Sequence, residues 1–307
     1  MNLKDTFWYT SPDNVDIFVQ KWEPKKQAKA VIQIAHGMME HIERYENFAS
    51  YLTSQGFIVY GNDHRGHGRT GERQGKLGYF ADSHGFFRTA DDLVQLSKQI
   101  KASHPTLPLF LIGHSMGSFL IRIFIQQNSS LVDGAILSGT GHFPRLKTIA
   151  GKQLASFFSP KKEAPWMNKL VFGTYNKKIA DASTGFEWLS SDHVTVQKYV
   201  KDPFTGFIPT GRFFFDLMEG LLTMQKTSNN KHIRHNFPLL ILSGDCDPVG
   251  NYEKGIWKTA RLFEKAGLES ITTMVFTKGR HELLNEANKE EVYTAINSWL
   301  QANISSI

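Results

Sequence analysis

Six short apolar runs are the most regular feature of the chain. Each has five or six residues, is rich in Val, Ile, Leu or Phe, and is bounded by Gly, Pro or Asp, as buried parallel strands are. The runs cover residues 30–35, 57–61, 109–113, 134–138, 239–243 and 271–276. Stretches with helical spacing of apolar residues separate most of them, at 43–55, 86–101, 253–266 and 289–300. This alternation predicts an α/β fold with a mostly parallel, doubly wound sheet.

Two further segments depart from the alternation. Residues 6–10 and 15–22, around Ser-Pro-Asp-Asn at 11–14, predict an antiparallel hairpin at the sheet edge. Between 141 and 235 no parallel strand is evident, yet ten of the 23 Phe fall there. We therefore predict a core of residues 1–140 and 236–307 and an inserted helical cap or lid of residues 141–235. The alternative is that this stretch is simply more helical core.

Composition and charge narrow the class of protein. The 307 residues are 41% hydrophobic and 21% charged, which is typical of a globular chain and excludes a disordered one. The net charge is +6, and residues 141–200 hold nine Lys/Arg against four Asp/Glu, so most of the excess lies in the predicted cap. This excess permits peripheral contact with an anionic membrane surface. With no recognition motif interleaving aromatic and basic residues, we expect no nucleic-acid partner.

The cysteine count and the lack of long apolar segments set expectations about disulfides, metal clusters and cellular location. Cys246 is the one cysteine, so an intramolecular disulfide framework and a cysteine-based zinc cluster are excluded. The first residues have no apolar region, and no apolar run reaches the ~20 residues of a spanning helix. The expectation is a cytoplasmic protein, with peripheral membrane association as a further option.

Residues 113–117, Gly-His-Ser-Met-Gly, carry the strongest chemical signal. They fit G-x-S-x-G, follow the apolar run 109–113 and precede a buried helical pattern at 118–125. A serine at such a strand-turn-helix junction projects its hydroxyl above the carboxyl edge of the sheet, and small neighbours avoid clashes. This context predicts Ser115 as a nucleophile, which needs a base to take its proton.

A base and an acid are available at the same predicted edge. His281 follows the last predicted strand, and the order Ser, Asp, His is the one expected for this architecture. Asp245 and Asp247 both follow the strand at 239–243, and either could orient the histidine. We favour Asp247, because Pro248 holds it extended, and expect Asp245 to turn the loop by bonding to backbone.

Acyl transfer also needs N–H donors for the oxyanion. One is the backbone N–H of Met116, directly after the nucleophile. The other is expected from the loop after the strand at 30–35, where Gly37 allows close approach and Met38 supplies the N–H. We expect His36, just before, to stabilise this loop, and His114 to have a packing role.

These pieces together resemble an α/β-hydrolase, and more narrowly the monoacylglycerol lipase and lysophospholipase-like group of serine hydrolases. The resemblance rests on residues 36–45 (HGMMEHIERY), 63–70 (DHRGHGRT), 113–117, 244–247 and His281. It supports Asp247, Met38 and Met116 in the roles above, and implies hydrolysis of a single acyl ester under a cap that forms an apolar acyl tunnel. Ser118 and Thr70 depart from the family pattern, where glycine and serine are common.

The resemblance leaves several functions open. The expected function is a monoacylglycerol lipase-like esterase acting on a small-molecule acyl ester. The alternatives are a lysophospholipase, a small-ester carboxylesterase and a catalytically silent binding protein. An aminopeptidase or an acyltransferase using the same site also stays open.

Two further motifs are typical of cofactor or metal sites, but their context argues against both, and we expect no cofactor and no metal. Residues 66–71 match G-x-G-x-x-G, but they do not directly follow a strand, and residues 72–76 show no helical apolar face. The pairs His64/His67 and His232/His235 could chelate a metal, but we expect solvated loop histidines there.

Overall fold

An eight-stranded sheet organises the chain. The computed structural model describes residues 3–180 and 182–305, so the first two residues of the start considered above lie outside the described part. The strands are β1 (Leu3–Thr10), β2 (Asp16–Glu23), β3 (Ala30–Ala35), β4 (Phe57–Asn62), β5 (Leu109–His114), β6 (Gly134–Ser138), β7 (Leu239–Gly244) and β8 (Ile271–Phe276). Their order is β1-β2-β4-β3-β5-β6-β7-β8. All six predicted strands and the edge hairpin are confirmed.

The strands pair antiparallel at the N-terminal edge of the sheet and parallel elsewhere. β1 and β2 form the antiparallel hairpin, β2 also pairs antiparallel with β4, and every pair from β4 to β8 is parallel. The helices are α1 (Glu46–Ser54), α2 (Gly68–Arg73), α3 (Gly85–Ser103), α4 (Met116–Asn128), α5 (Arg145–Ser156), α6 (Pro165–Phe172), α7 (His193–Lys201), α8 (Gly211–Met224), α9 (Thr227–Asn230), α10 (Lys254–Lys265) and α11 (Lys289–Ile304). The four helices predicted from apolar spacing are present. Helix α2, which covers most of the glycine motif at 66–71, was not predicted.

Two apolar clusters lie on opposite faces of the sheet, as a doubly wound fold requires. Helices α1 and α11 cover one face, where Phe48 and Ile296 are fully buried. Helices α3, α4 and α10 cover the other, with Leu93, Phe124 and Phe263. The fold is therefore the predicted α/β-hydrolase arrangement.

Residues 141–235 contain α5 to α9, and their described part has no strand beyond an isolated bridge between Glu163 and Thr210. Phe213 and Phe214 of α8 are fully buried in the same cluster as the sheet residues. The boundaries of core and cap given above stay a prediction. Within residues 3–180 and 182–305, no helix combines the length and apolar character needed to cross a bilayer.

Candidate active site

Ser115 lies at the junction of β5 and α4 in a strained conformation. Its φ of 50° and ψ of −119° fall outside the regions that non-glycine residues ordinarily occupy. The Ser115 N–H donates to the carbonyl of Ser138 over 2.9 Å, which ties the turn to the end of β6. A Cβ on Gly113 would lie 2.6 Å from the Gly117 carbonyl oxygen, and one on Gly117 would overlap the Ala35 carbonyl. Both glycines of the motif are therefore required by space.

His281 and Asp247 form a buried pair. Nδ1 of His281 lies 3.0 Å from Oδ1 of Asp247, and both side chains are almost wholly buried. The Val249 N–H also donates to this oxygen, over 2.8 Å, and so fixes the carboxylate. Because a carboxylate accepts, the imidazole proton lies on Nδ1 and Nε2 is left able to accept a proton.

Asp245, the alternative acid, makes no hydrogen bond to His281 among the described residues. Its Oδ1 is buried with no hydrogen-bond partner, so the expected side-chain bond to backbone is not seen for this atom. The structure thus brings Asp247, not Asp245, to the histidine.

Ser115 and His281 line one cavity, at the rim where the parallel strands end. Its volume is about 20 Å³, and Met38, Trp188 and Leu189 also line it. The described residues show no hydrogen bond between Ser115 and His281. The resemblance implied an apolar acyl tunnel at this place, but a space this small holds about one water molecule.

The two expected oxyanion donors flank Ser115. Met116 opens α4 directly after it, and Met38 lines the cavity in the loop after β3. A Cβ on Gly37 would lie 3.2 Å from the Ser115 Cβ, so this loop lies close to the serine. In the described part of the chain, neither the Met38 nor the Met116 N–H donates to a protein acceptor.

An ion-pair cluster beside the cavity was missed by sequence reasoning. Arg44 donates to Glu40 and in a bidentate manner to Glu282, each over 2.7 Å. Burial raises the pKa of Glu40, whereas for Glu282 the charge and hydrogen bonds of Arg44 outweigh burial and lower the pKa to about 2. The cluster links the loop after β3 to the residue after His281. Nothing in the spacing of the sequence indicated that these three residues meet.

A segment of the predicted cap holds the loop of His281. The N–H groups of His281 and Glu282 donate to the carbonyls of Trp188 and Leu189, over 3.3 and 2.7 Å. The Arg280 guanidinium donates to two further carbonyls of residues 187–190, over 2.8 and 3.0 Å. The Trp188 ring lies 5.0 Å from the His281 ring. This strap, residues 187–190, was also missed.

Two buried histidines contradict the sequence-based expectation. His64 and His67 were expected in solvated loops, but both are fully buried beside His36. Burial lowers the pKa of His64 to about 3 and that of His67 to about 4. His232 and His235 are exposed, as expected. Among the described residues there is no cluster that could hold a metal ion.

Solved structures share this architecture over almost the whole chain. A thermostable carboxyl esterase from Bacillus coagulans superposes with a TM-score of 0.91 and 27% identity, covering 98% of this chain and 99% of the esterase. A lipase in its open form superposes with a TM-score of 0.87 and 26% identity, covering 98% and 99%. The fold and these similarities define a serine carboxylic ester hydrolase of the α/β-hydrolase superfamily.

Sequence relatives narrow the class. The monoacylglycerol lipase of Mycolicibacterium smegmatis is 26% identical over 295 residues, covering 94% of each chain. The human monoglyceride lipase is 27% identical, covering 94% of this chain and 88% of its own. The family described as "Serine aminopeptidase, S33" matches residues 26–288, and the chain belongs to this family. Within it, the chain falls in the monoacylglycerol lipase and lysophospholipase-like group.

Proposed function

We propose that the chain is a monoacylglycerol lipase-like esterase that works through Ser115, His281 and Asp247. The observation that carries the proposal is the buried His281–Asp247 contact of 3.0 Å in the wall of a cavity that Ser115 also lines. Ser115 attacks the ester carbonyl while Nε2 of His281 takes the hydroxyl proton. Asp247 holds the imidazole in the required tautomer and stabilises the imidazolium.

The N–H groups of Met38 and Met116 bind the oxyanion of the tetrahedral intermediate. His281 then gives its proton to the departing alcohol, which leaves an acyl group on Ser115. Water repeats the sequence on this acyl-enzyme, releasing the acid and restoring the serine. The free N–H groups on both sides of Ser115 support this assignment.

Labelling with a fluorophosphonate probe tests the nucleophile. Ser115→Ala should abolish labelling and lower kcat by roughly 10³-fold or more. Ser138→Ala is the matched control, because its Oγ is buried at the same rim and bonds to nothing in the described chain. It should keep labelling. Full labelling of Ser115→Ala, or no labelling of the wild type, contradicts the proposal.

A panel of substrates separates the related activities. The cavity wall includes the apolar side chains of Phe172, Trp188 and Leu189, which favours an acyl chain over a sugar or a peptide. We expect hydrolysis of p-nitrophenyl esters up to long chains, and of monoacylglycerol in preference to lysophospholipid. Preference for lysophospholipid would make the chain a lysophospholipase, and activity on C2–C4 esters alone would make it a carboxylesterase. Faster cleavage of aminoacyl p-nitroanilides would favour the peptidase named in the family description.

Exposed apolar side chains on α5, α6 and the turn after α5 support the expected membrane contact. Phe157 is 86% exposed and Trp166 is 74% exposed, among the lysines of the same segment. Apolar side chains flanked by cations fit the surface of an anionic bilayer. Binding to vesicles of phosphatidylcholine with phosphatidylglycerol should exceed binding to phosphatidylcholine alone. Trp166→Ala should weaken it, and equal binding of both vesicles by both proteins contradicts the proposal.

A further inference from the structure

Two successive peptide groups after β3, His36–Gly37 and Gly37–Met38, are held by hydrogen bonds to buried side chains. In the first, the His36 carbonyl accepts from Nε2 of His64 over 3.1 Å, and the Gly37 N–H donates to Oε1 of Glu40. In the second, the Gly37 carbonyl accepts from Nδ1 of His36 over 2.7 Å. Three of the four polar groups thus have a buried partner. The fourth is the Met38 N–H, which faces no protein acceptor in the described chain.

The tautomer of His36 follows from its contacts. The backbone N–H of His64 donates to Nε2 of His36 over 3.0 Å, so Nε2 carries no proton. A neutral ring must then carry its proton on Nδ1, which faces the Gly37 carbonyl. Burial lowers the pKa of His36 well below its ordinary value, so the ring stays neutral in the working range of pH. His64 therefore fixes which nitrogen of His36 donates.

The direction of the Met38 N–H follows from planarity. The described chain has no cis peptide bond, and in a trans peptide the carbonyl and the N–H point in opposite directions. Because the Gly37 carbonyl faces the buried His36 ring, the Met38 N–H faces away from it. Met38 lines the cavity, and Gly37 packs against Ser115. The N–H is thereby directed to the side where the oxyanion would form.

We propose that His36, held in its Nδ1–H tautomer by the backbone of His64, is a positioning residue that aims the Met38 N–H at the oxyanion. This inference rests on the proposed function. It assigns to a buried histidine a role that does not require contact with the substrate. Without the Nδ1–H bond, the Gly37–Met38 peptide is free to rotate, and one oxyanion donor is lost in a fraction of molecules.

Two substitutions of His36 separate positioning from packing. In His36→Asn, the side-chain amide can place an N–H where Nδ1 stood, whereas His36→Leu has no donor. His36→Leu should lower kcat by about 10²-fold with little change in KM, as expected for a weakened oxyanion donor. His36→Asn should recover most of the loss. Binding of a trifluoromethyl ketone, which forms an oxyanion on the serine, should weaken in parallel with kcat/KM.

His67→Phe is the matched control. His67 is as deeply buried, its ring centroid lies 5.3 Å from that of His36, and its hydrogen bond goes to the Arg65 carbonyl and to neither peptide group. Its kcat should stay within a few fold of wild type. The proposal is overturned if kcat falls equally in all three variants, or if the His36 variants change KM alone. If His36→Leu does not fold, His36→Asn decides, because a loss of 10²-fold in a folded donor-bearing variant also overturns it.

The experiments distinguish failure of the proposed function from failure of the positioning role of His36. If the wild type shows no fluorophosphonate labelling and no esterase activity, the serine assignment is wrong whatever His36 does. If the wild type is labelled and active but His36→Leu keeps full kcat, only the positioning role is wrong. Labelling of each variant to completion, measured before the kinetics, shows that Ser115 and His281 remain in place.

Discussion

Asp247→Asn is the substitution whose outcome the structure constrains most closely. Oδ1 of Asp247 accepts from both His281 and Val249, whereas Oδ2 lies 3.5 Å from the Ser243 hydroxyl. The Val249 N–H needs an acceptor, so the asparagine carbonyl should take the place of Oδ1 and its NH₂ should face Ser243. His281 then keeps its Nδ1–H bond and its tautomer. The variant loses the negative charge and little else.

The size of the effect follows from that charge. Two unit charges about 4 Å apart attract by about 4 kcal/mol at an effective dielectric constant of about 20. If this stabilises the imidazolium in the transition state, Asp247→Asn lowers kcat/KM by about 10³-fold. Asp247→Ala also leaves the N–H groups of Val249 and His281 without an acceptor. Each such buried donor costs about 1–3 kcal/mol, so this variant should be both less active and less stable.

Initial rates on a p-nitrophenyl ester measure these losses. Asp245→Asn is the control, since the sequence left both aspartates open and the structure shows no hydrogen bond between Asp245 and His281. It should keep kcat/KM within a few fold of wild type. A larger loss in Asp245→Asn than in Asp247→Asn would refute the assignment of the acid. Equal losses in Asp247→Asn and Asp247→Ala would refute the argument about the tautomer.

Three other variants test local features. Gly117→Ala places a Cβ against the Ala35 carbonyl, so kcat should fall at least 10²-fold as Ser115 is displaced; an unchanged kcat contradicts this. Burial lowers the pKa of His67 to about 4, below about 6.5 in an unfolded chain, so its contribution to stability is complete above pH 6.5 and declines as pH falls towards 4. Between pH 8 and pH 5, the free energy of unfolding in urea should fall by about 2 kcal/mol less for His67→Phe than for the wild type, and an equal fall in both proteins would contradict this. Arg280→Met removes the bonds to the strap and should lower kcat about tenfold and speed proteolysis at residues 183–190; unchanged proteolysis would exclude a role in holding the strap.

The sheet and the serine turn could be predicted because their signals are local. An apolar run of six residues and a glycine two positions from Ser115 on each side are properties of short segments. The rule that parallel strands end at one edge then brings distant loops together without further information. This rule, and not any pairwise signal, placed His281 and Asp247 near Ser115 in the prediction.

The contacts that hold these loops in place could not be predicted in the same way. Arg44 and Glu282 are 238 positions apart, and neither belongs to an apolar pattern. The buried histidines were misplaced for a related reason. A histidine in a glycine-rich loop has the composition of a solvated turn, and only the packing of His67 against Phe80, Phe207 and Phe213 shows otherwise.

The aromatic content of residues 141–235 shows where composition ceases to be informative. Phe213 and Phe214 are buried in the apolar cluster that also holds residues of the sheet, and Trp188 forms part of the wall of the cavity. Phe157 and Trp166, from the same stretch, remain in water. A count of aromatic residues gives both groups the same weight, yet the first group is buried within the protein and the second is exposed to solvent. The proposed contact with a lipid surface concerns only the second group, so truncating Trp166 should alter vesicle binding and leave hydrolysis of a water-soluble ester unchanged.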